Sequence, residues 1–207
     1  MKKVIVVVLV LFSLTSSFGQ KNKKGVVEYG VNIGYNVFYV GTSEGNSDGG
    51  SGVNVGLAAD YFFSDRWSIK GKLIYDQKGW DNGFFNDLDT DTFYTTDYKL
   101  NYLTVPVMAN WHFGGKRNWY LNFGPYAGFL MGATETVNSR NVKEAFNTTD
   151  FGISFGIGVK IPVSDKLKIS LEYDEQDGLL DVFKVNAGSD AKNSRASFNV
   201  GVNFLLQ

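Results

Sequence analysis

From Val27 to the C-terminus the chain alternates large apolar residues with small or polar ones at a period of two, and it does so eight times. Val27, Tyr29, Val31, Ile33, Tyr35, Val37 and Tyr39 are interleaved with Glu28, Gly30, Asn32, Gly34 and Asn36. The pattern returns at 53–63, Trp67–Gly79, Tyr98–Trp111, Trp119–Met131, 150–161, 167–174 and 195–204. The sixth segment is the clearest, with Phe151, Ile153, Phe155, Ile157, Val159 and Ile161 set against Gly152, Ser154, Gly156, Gly158 and Lys160. Side chains alternate faces along an extended strand, so each segment predicts a strand with one apolar and one polar face. After the N-terminal leader no apolar run has helix length. Lipid tolerates only helices and closed barrels, because these alone satisfy every backbone polar group. The expectation is an all-β fold: an eight-stranded antiparallel up-and-down transmembrane β-barrel over 27–207.

The connections alternate as regularly as the strands. Gly41–Gly52, Trp80–Asp97, Gly132–Thr149 and Glu175–Ser194 read as long, whereas Ser64–Arg66, Gly114–Asn118 and Pro162–Lys166 are short. Outer-membrane barrels carry long loops outside and tight turns in the periplasm. With the N-terminus in the periplasm, all seven connections fall on the proper side.

Alternation alone does not say which face looks inward. Eight strands leave an interior that side chains just fill. The face rich in Phe, Tyr, Ile and Leu would overfill it, while the Gly, Ser, Asn and Ala face fits. The bulky face is therefore expected to meet lipid. The enclosed face then holds Glu28, Asp60, Asp76, Glu172 and Asp174 with Lys70, Lys72, Lys160 and Arg195. Such a set reads either as an ion path or as a salt-bridged plug that holds the barrel shut. The near balance of charge and the small bore favour the plug. Trp67, Trp111 and Trp119 beside the short turns, and Trp80 at a long loop, match the aromatic belts of membrane surfaces.

The N-terminus reads as a secretory signal peptide over 1–19. Lys2 and Lys3 precede the apolar run Val4–Leu14, and Ser17-Phe18-Gly19 offers a cleavage site after Gly19. That run is short of the roughly 20 residues a spanning helix needs. A short periplasmic tail, 20–26, follows. There is no cysteine, which excludes disulfides and a lipid-modified N-terminus. Without the leader, 18 basic and 21 acidic residues remain, and nothing suggests a nucleic-acid partner.

Two strands depart from clean alternation. In the fourth, Leu103, Val105, Val107, Ala109 and Trp111 occupy one parity, while Tyr98, Leu100 and Tyr102 occupy the other. Pro106 lies between these halves and Pro125 interrupts the fifth strand; a bulge or missing ladder bonds are expected where they face each other. Catalytic chemistry is poorly represented. His112, the one histidine, lies between Trp111 and Phe113 beside a short turn and reads as interfacial packing. Asp87, Asp89 and Asp91 are spaced like the start of a calcium loop, but Thr92 and Tyr98 stand where glycine and glutamate are required. The Gly152–Gly158 series has no helix to follow it, so it is no phosphate cradle. No catalytic residue, cofactor or metal site is nominated.

Several motifs together carry a family likeness. They are Tyr75–Gly79, Asn101–Val107 with its Pro106, Gly124–Leu130, Asp150–Gly158, Leu171–Tyr173 and Asn199–Phe204. In this order the chain resembles the PorT-like outer-membrane β-barrel family of the Bacteroidetes over nearly its whole length. The resemblance implies a small exported barrel in the outer membrane of a Gram-negative bacterium, with no enzymatic residues to transfer. It implies a structural, adhesive or secretion-accessory role. Expected partners are outer-membrane lipids and lipopolysaccharide, and envelope or secretion-system proteins reached through the loops; a monomer is expected. A small transport channel or a membrane-embedded enzyme is the alternative. One departure is the C-terminus, which runs past Phe204 where such barrels often end on an aromatic residue.

Overall fold

A computed structural model describes residues 24–87 and 92–206. The leader, residues 20–23 of the tail and Leu88–Asp91 of the acidic loop lie outside it. Among the described residues eight long strands account for the wall: β1 Val27–Thr42, β2 Gly50–Phe62, β3 Trp67–Asp87, β4 Thr92–Phe113, β5 Trp119–Glu135, β6 Thr149–Pro162, β7 Leu167–Gly178 and β8 Lys192–Leu206. Each pairs antiparallel with the next. The ring closes through β1 and β8, from Val27 opposite Leu206 to Gly41 opposite Lys192. A two-residue strand, Gly45–Asn46, folds back on the end of β1. Among the described residues no helix is long and apolar enough to cross a membrane; the strands are the crossing elements.

Side-chain volume orients the wall as expected. Ile33, Val53 and Phe198 are 60–64% exposed, whereas Glu28, Asp76 and Arg195 are at most 1% exposed. The even-numbered residues of β1 to β7 and the odd-numbered residues of β8 face the lumen wherever the strand register is unbroken. Short turns at 63–66, 114–118 and 163–166 gather at one end. The longer connections 43–49, 136–148 and 179–191 gather at the other.

Three local findings correct or refine the sequence expectations. First, Trp80–Asp97 is not a long loop. β3 runs on to Asp87 and β4 begins at Thr92, with Asp87 paired to Thr92, so the segment is a ribbon rising beyond the apolar band. A register shift between Trp80 and Gly83 inverts the side-chain parity, which hides the alternation. Past it, β-favouring residues pair: Phe85 stands opposite Tyr94 with ring centroids 5.2 Å apart. Secondly, β4 does not change face. Tyr98, Leu100 and Tyr102 are lumenal residues, buried beneath the outer mouth, and Leu103 to Trp111 lie on the outward parity of the same unbroken strand.

Thirdly, the ladder is interrupted at the prolines. On β5 it passes from Pro106–Tyr126 to Ala109–Phe123 with the register unchanged, omitting Val107 and Met108. On β3 it passes from Gly71–Val107 to Ile74–Thr104. Pro106 cannot donate, so rungs are missing on both of its sides, without a bulge there. Gly124 lies against the gap; a Cβ on it would stand 2.2 Å from the Val107 carbonyl oxygen. The bulge in this pair of strands falls higher, between Asn101 and Tyr102. A second seam lies between β2 and β3, whose ladder ends at Asn54–Asp76. Above it side chains replace rungs. The Asn36 amide donates to the Gln77 carbonyl at 2.9 Å, and Lys99 Nζ donates to the Ser51 carbonyl at 3.1 Å. Gly79, at φ +133°, makes the bend; any Cβ there would lie 1.9 Å from the Tyr98 carbonyl oxygen.

Candidate functional site

The lumen is filled in tiers. Nearest the short turns, Glu28 bridges Lys160 and Lys168, the latter at 2.7 Å. Lys160 also meets Asp60 at 2.8 Å, and the Asn110 amide donates to the same carboxylate at 2.9 Å. The middle tier is a continuous chain of ions. Lys70 and Lys72 share Glu172; Lys72 reaches Asp174 at 3.0 Å; Arg195 joins Asp174 to Asp76, the second contact at 3.0 Å. Asn36, Asn122 and Asn199 donate into the carboxylates of this tier. The outer tier pairs Lys78 with Asp150 at 2.9 Å, with the Tyr126 hydroxyl donating to the same carboxylate at 3.1 Å. The Lys78 ammonium stands 4.4 Å from the Tyr126 ring centroid.

Among the described residues the lumen thus holds six acids and six bases. The nine charges expected from the sequence all lie there. The three it left out are Lys78, Asp150 and Lys168. Asp150 and Lys168 already stand on the polar parity of their strands, so the signal was present. Lys78 sits at the edge of the third apolar–polar segment, where the alternation fades. Twelve buried ions are tolerable because each is paired and hydrogen-bonded; stripping one partner from such a pair costs about 3–5 kcal/mol.

Above the outer tier the mouth is stoppered by apolar groups. Val40, Trp80, Tyr98, Leu100, Tyr102, Leu130, Ala133, Phe146, Val182 and Ala191 form one cluster, with Phe85, Val142 and Phe183 packed against it. Trp80 stacks on Tyr98 at 4.5 Å. Phe146 and Phe183 come from different loops and pair as an isolated β-bridge across the opening. Trp80 is therefore a cap residue, not part of an interfacial belt; it stands on the lumenal parity of β3, opposite Tyr98, just before the register shift. The other three tryptophans do lie on the outward parity at the short-turn end. Trp67 and Trp111 are 6.4 Å apart, and Phe113 continues the row to Trp119.

His112 also lies in the lumen rather than at the interface, because β4 keeps its even residues inside throughout. Its Nε2 is 3.0 Å from the Ser68 hydroxyl and 3.9 Å from Asp60. These residue types invite comparison with a catalytic triad, in which serine and aspartate engage opposite ring nitrogens. Here both crowd Nε2, Nδ1 has no partner, and the group is sealed in the interior. A separate carboxylate, Glu135, organises the outer rim above the apolar band. It accepts from the backbone N–H groups of Val137, Asn138 and Arg140 and from the Thr96 hydroxyl. Burial pushes its pKa up, but these donors, Arg140 first, outweigh burial and hold it below the ordinary value. Among the described residues no group of three or more His, Cys, Asp or Glu could hold a metal ion.

A closed ring of eight antiparallel strands, apolar outside and charged within, is an outer-membrane β-barrel. The comparisons agree, and the chain belongs to the outer membrane protein beta-barrel domain family, whose model matches residues 18–184. It is similar in structure to OprG of Pseudomonas aeruginosa, with a TM-score of 0.55 and 11% identity over 90% of this chain and 98% of that one. AlkL, solved by solid-state NMR in DMPC bilayers, gives 0.52 and 9% identity over 93% and 96%. Neisserial surface protein A gives 0.49 and 17% over 85% and 96%. At such identities the likeness shows the fold alone. No curated protein matches the sequence.

Proposed function

We propose that the protein is a non-enzymatic outer-membrane barrel of the PorT-like type whose lumen is shut and whose work is done by its external loops. The observation that carries this reading is the lumen itself: three tiers of paired charge under an apolar cap leave no continuous path for solute. With conduction set aside, the surfaces left for function are the ribbon of β3 and β4 and the loops 43–49, 136–148 and 179–191. Structural, adhesive or secretion-accessory contacts, with lipopolysaccharide or with envelope proteins, fit that surface. Export by cleavage after Gly19 and a monomeric barrel in a Gram-negative envelope belong to the same reading.

Planar-bilayer recording of the refolded barrel tests it. The expected trace has no steady openings. Steady large openings would overturn the closed lumen and favour a small porin-like channel.

A further inference from the structure

Where the outer ends of β1, β7 and β8 meet, a cleft of about 620 Å³ opens on the outward side of the wall. Two rows of the sheet make its floor. Asp177, Ser194 and Tyr39 stand abreast across the three strands, and Lys192, Gly41 and Asn46 form the row above. Gly41 supplies the hollow. A Cβ there would touch only the Asn46 side chain at 3.3 Å and the Tyr39 ring at 3.7 Å. The loops border the cleft through Ser43 and Ser189, whose hydroxyls are hydrogen-bonded at 2.8 Å.

The side chains of this cleft differ from the lumen in one respect. In the lumen the charges are matched. Here Tyr39, Asn46, Asp190 and Lys192 make no side-chain hydrogen bond or ion pair with another described residue. Unspent donors and acceptors therefore converge on a hollow floored by one aromatic ring. Its volume falls in the roughly 300–1,000 Å³ range of small-molecule sites. Its height is also defined. Two rows below lie Tyr35, Phe198 and Tyr173, the upper aromatic edge of the apolar band. The cleft opens just above it, at the level of lipid headgroups.

Two carboxylates, Asp177 and Asp190, against one ammonium disfavour a bare phosphate. An aromatic face ringed by carboxylate, amide, hydroxyl and ammonium groups suits a ring with an apolar C–H face and hydroxyls at its edge. We propose that this cleft binds a saccharide, with Tyr39 against the apolar face of the sugar, Asp190 and Asp177 accepting from its hydroxyls, and Lys192 and Asn46 donating to its oxygens. The proposal rests on the reading that the external surface is the working one. The sugar could belong to an outer-leaflet glycolipid or to a free glycan; the recognising chemistry is shared.

The test uses the full barrel in nanodiscs, followed by amide NMR shifts at Tyr39, Gly41, Lys192 and Ser194. One arm titrates methyl glucoside and methyl N-acetylglucosaminide into phosphatidylcholine discs. The other compares discs with and without lipopolysaccharide. Saturable shifts in the first arm assign a free glycan, and shifts in the second alone assign the glycolipid. Asp190→Asn and Tyr39→Ala are each expected to weaken binding about tenfold, the size of a lost hydrogen bond to a charged group or a lost platform. Gly41→Leu, which fills the hollow, is expected to abolish it. Heat-modifiable gel mobility confirms that each variant is folded. No shift in either arm, or shifts unaltered by all three variants, overturns the proposal. A barrel that stays electrically silent yet ignores both sugars sinks the saccharide while sparing the closed-lumen reading.

Discussion

Arg195 is the residue on which the middle tier depends. Its guanidinium joins Asp174 and Asp76, two carboxylates with almost no exposure. Arg195→Met keeps the volume and removes the charge. It is expected to destabilise the barrel by about 3–5 kcal/mol, because Asp76 is left buried without its cation. Urea unfolding in vesicles, read by tryptophan fluorescence, measures this; adding Asp76→Asn should restore part of the loss. Glu135 sets a pH dependence at the rim. Its folded pKa lies below the unfolded value of 4.5. The contribution to loop order is therefore complete above about pH 4.5 and is lost as pH falls through the lower folded value. Glu135→Gln should remove that acid transition, with amide exchange at Val137, Asn138 and Arg140 fast at every pH. Nine of the twelve lumenal charges were read from the sequence because parity alone placed them. His112 was not, since its outward neighbours Trp111 and Phe113 dominate the local composition.

At the scale of the element, strand existence and order could be read directly, while strand ends could not. The alternation that revealed β6 also exists in the upper half of β3, but the shift between Trp80 and Gly83 inverts it, and a period read across a bulge cancels. Tyr98, Leu100 and Tyr102 misled for a different reason. They are apolar residues facing inward, because the cap they join is apolar where the tiers below are charged. That cap brings Phe146 against Phe183, residues from separate loops, and no local pattern announces such a meeting. The prolines did announce themselves: Pro106 removes rungs toward both neighbours. The ribbon is predicted to be dispensable for the barrel. Replacing Phe84–Thr95 with an Asn-Gly turn between Gly83 and Thr96 keeps Thr96 on Glu135 and leaves the closed ring untouched. The shortened chain should retain the gel mobility of the folded barrel. Its loss would mean that the ribbon contributes to assembly of the wall.

For the whole molecule, closure joins first and last strands through fifteen residue pairs, from Val27–Leu206 to Gly41–Lys192. The wall has no free edge, and its content is neutral, six acids against six bases among the described residues. A voltage across a membrane does work on a protein only by moving net charge through the field, about 2.3 kcal/mol per elementary charge per 100 mV. The lumen offers it little: each cation is held by anions it shares with its neighbours, and displacing a neutral cluster together carries no gating charge. If the lumen is closed as proposed, the barrel is expected to pass neither ions nor electrical signals, and a change of membrane potential is expected to leave its outer rim in the same shape.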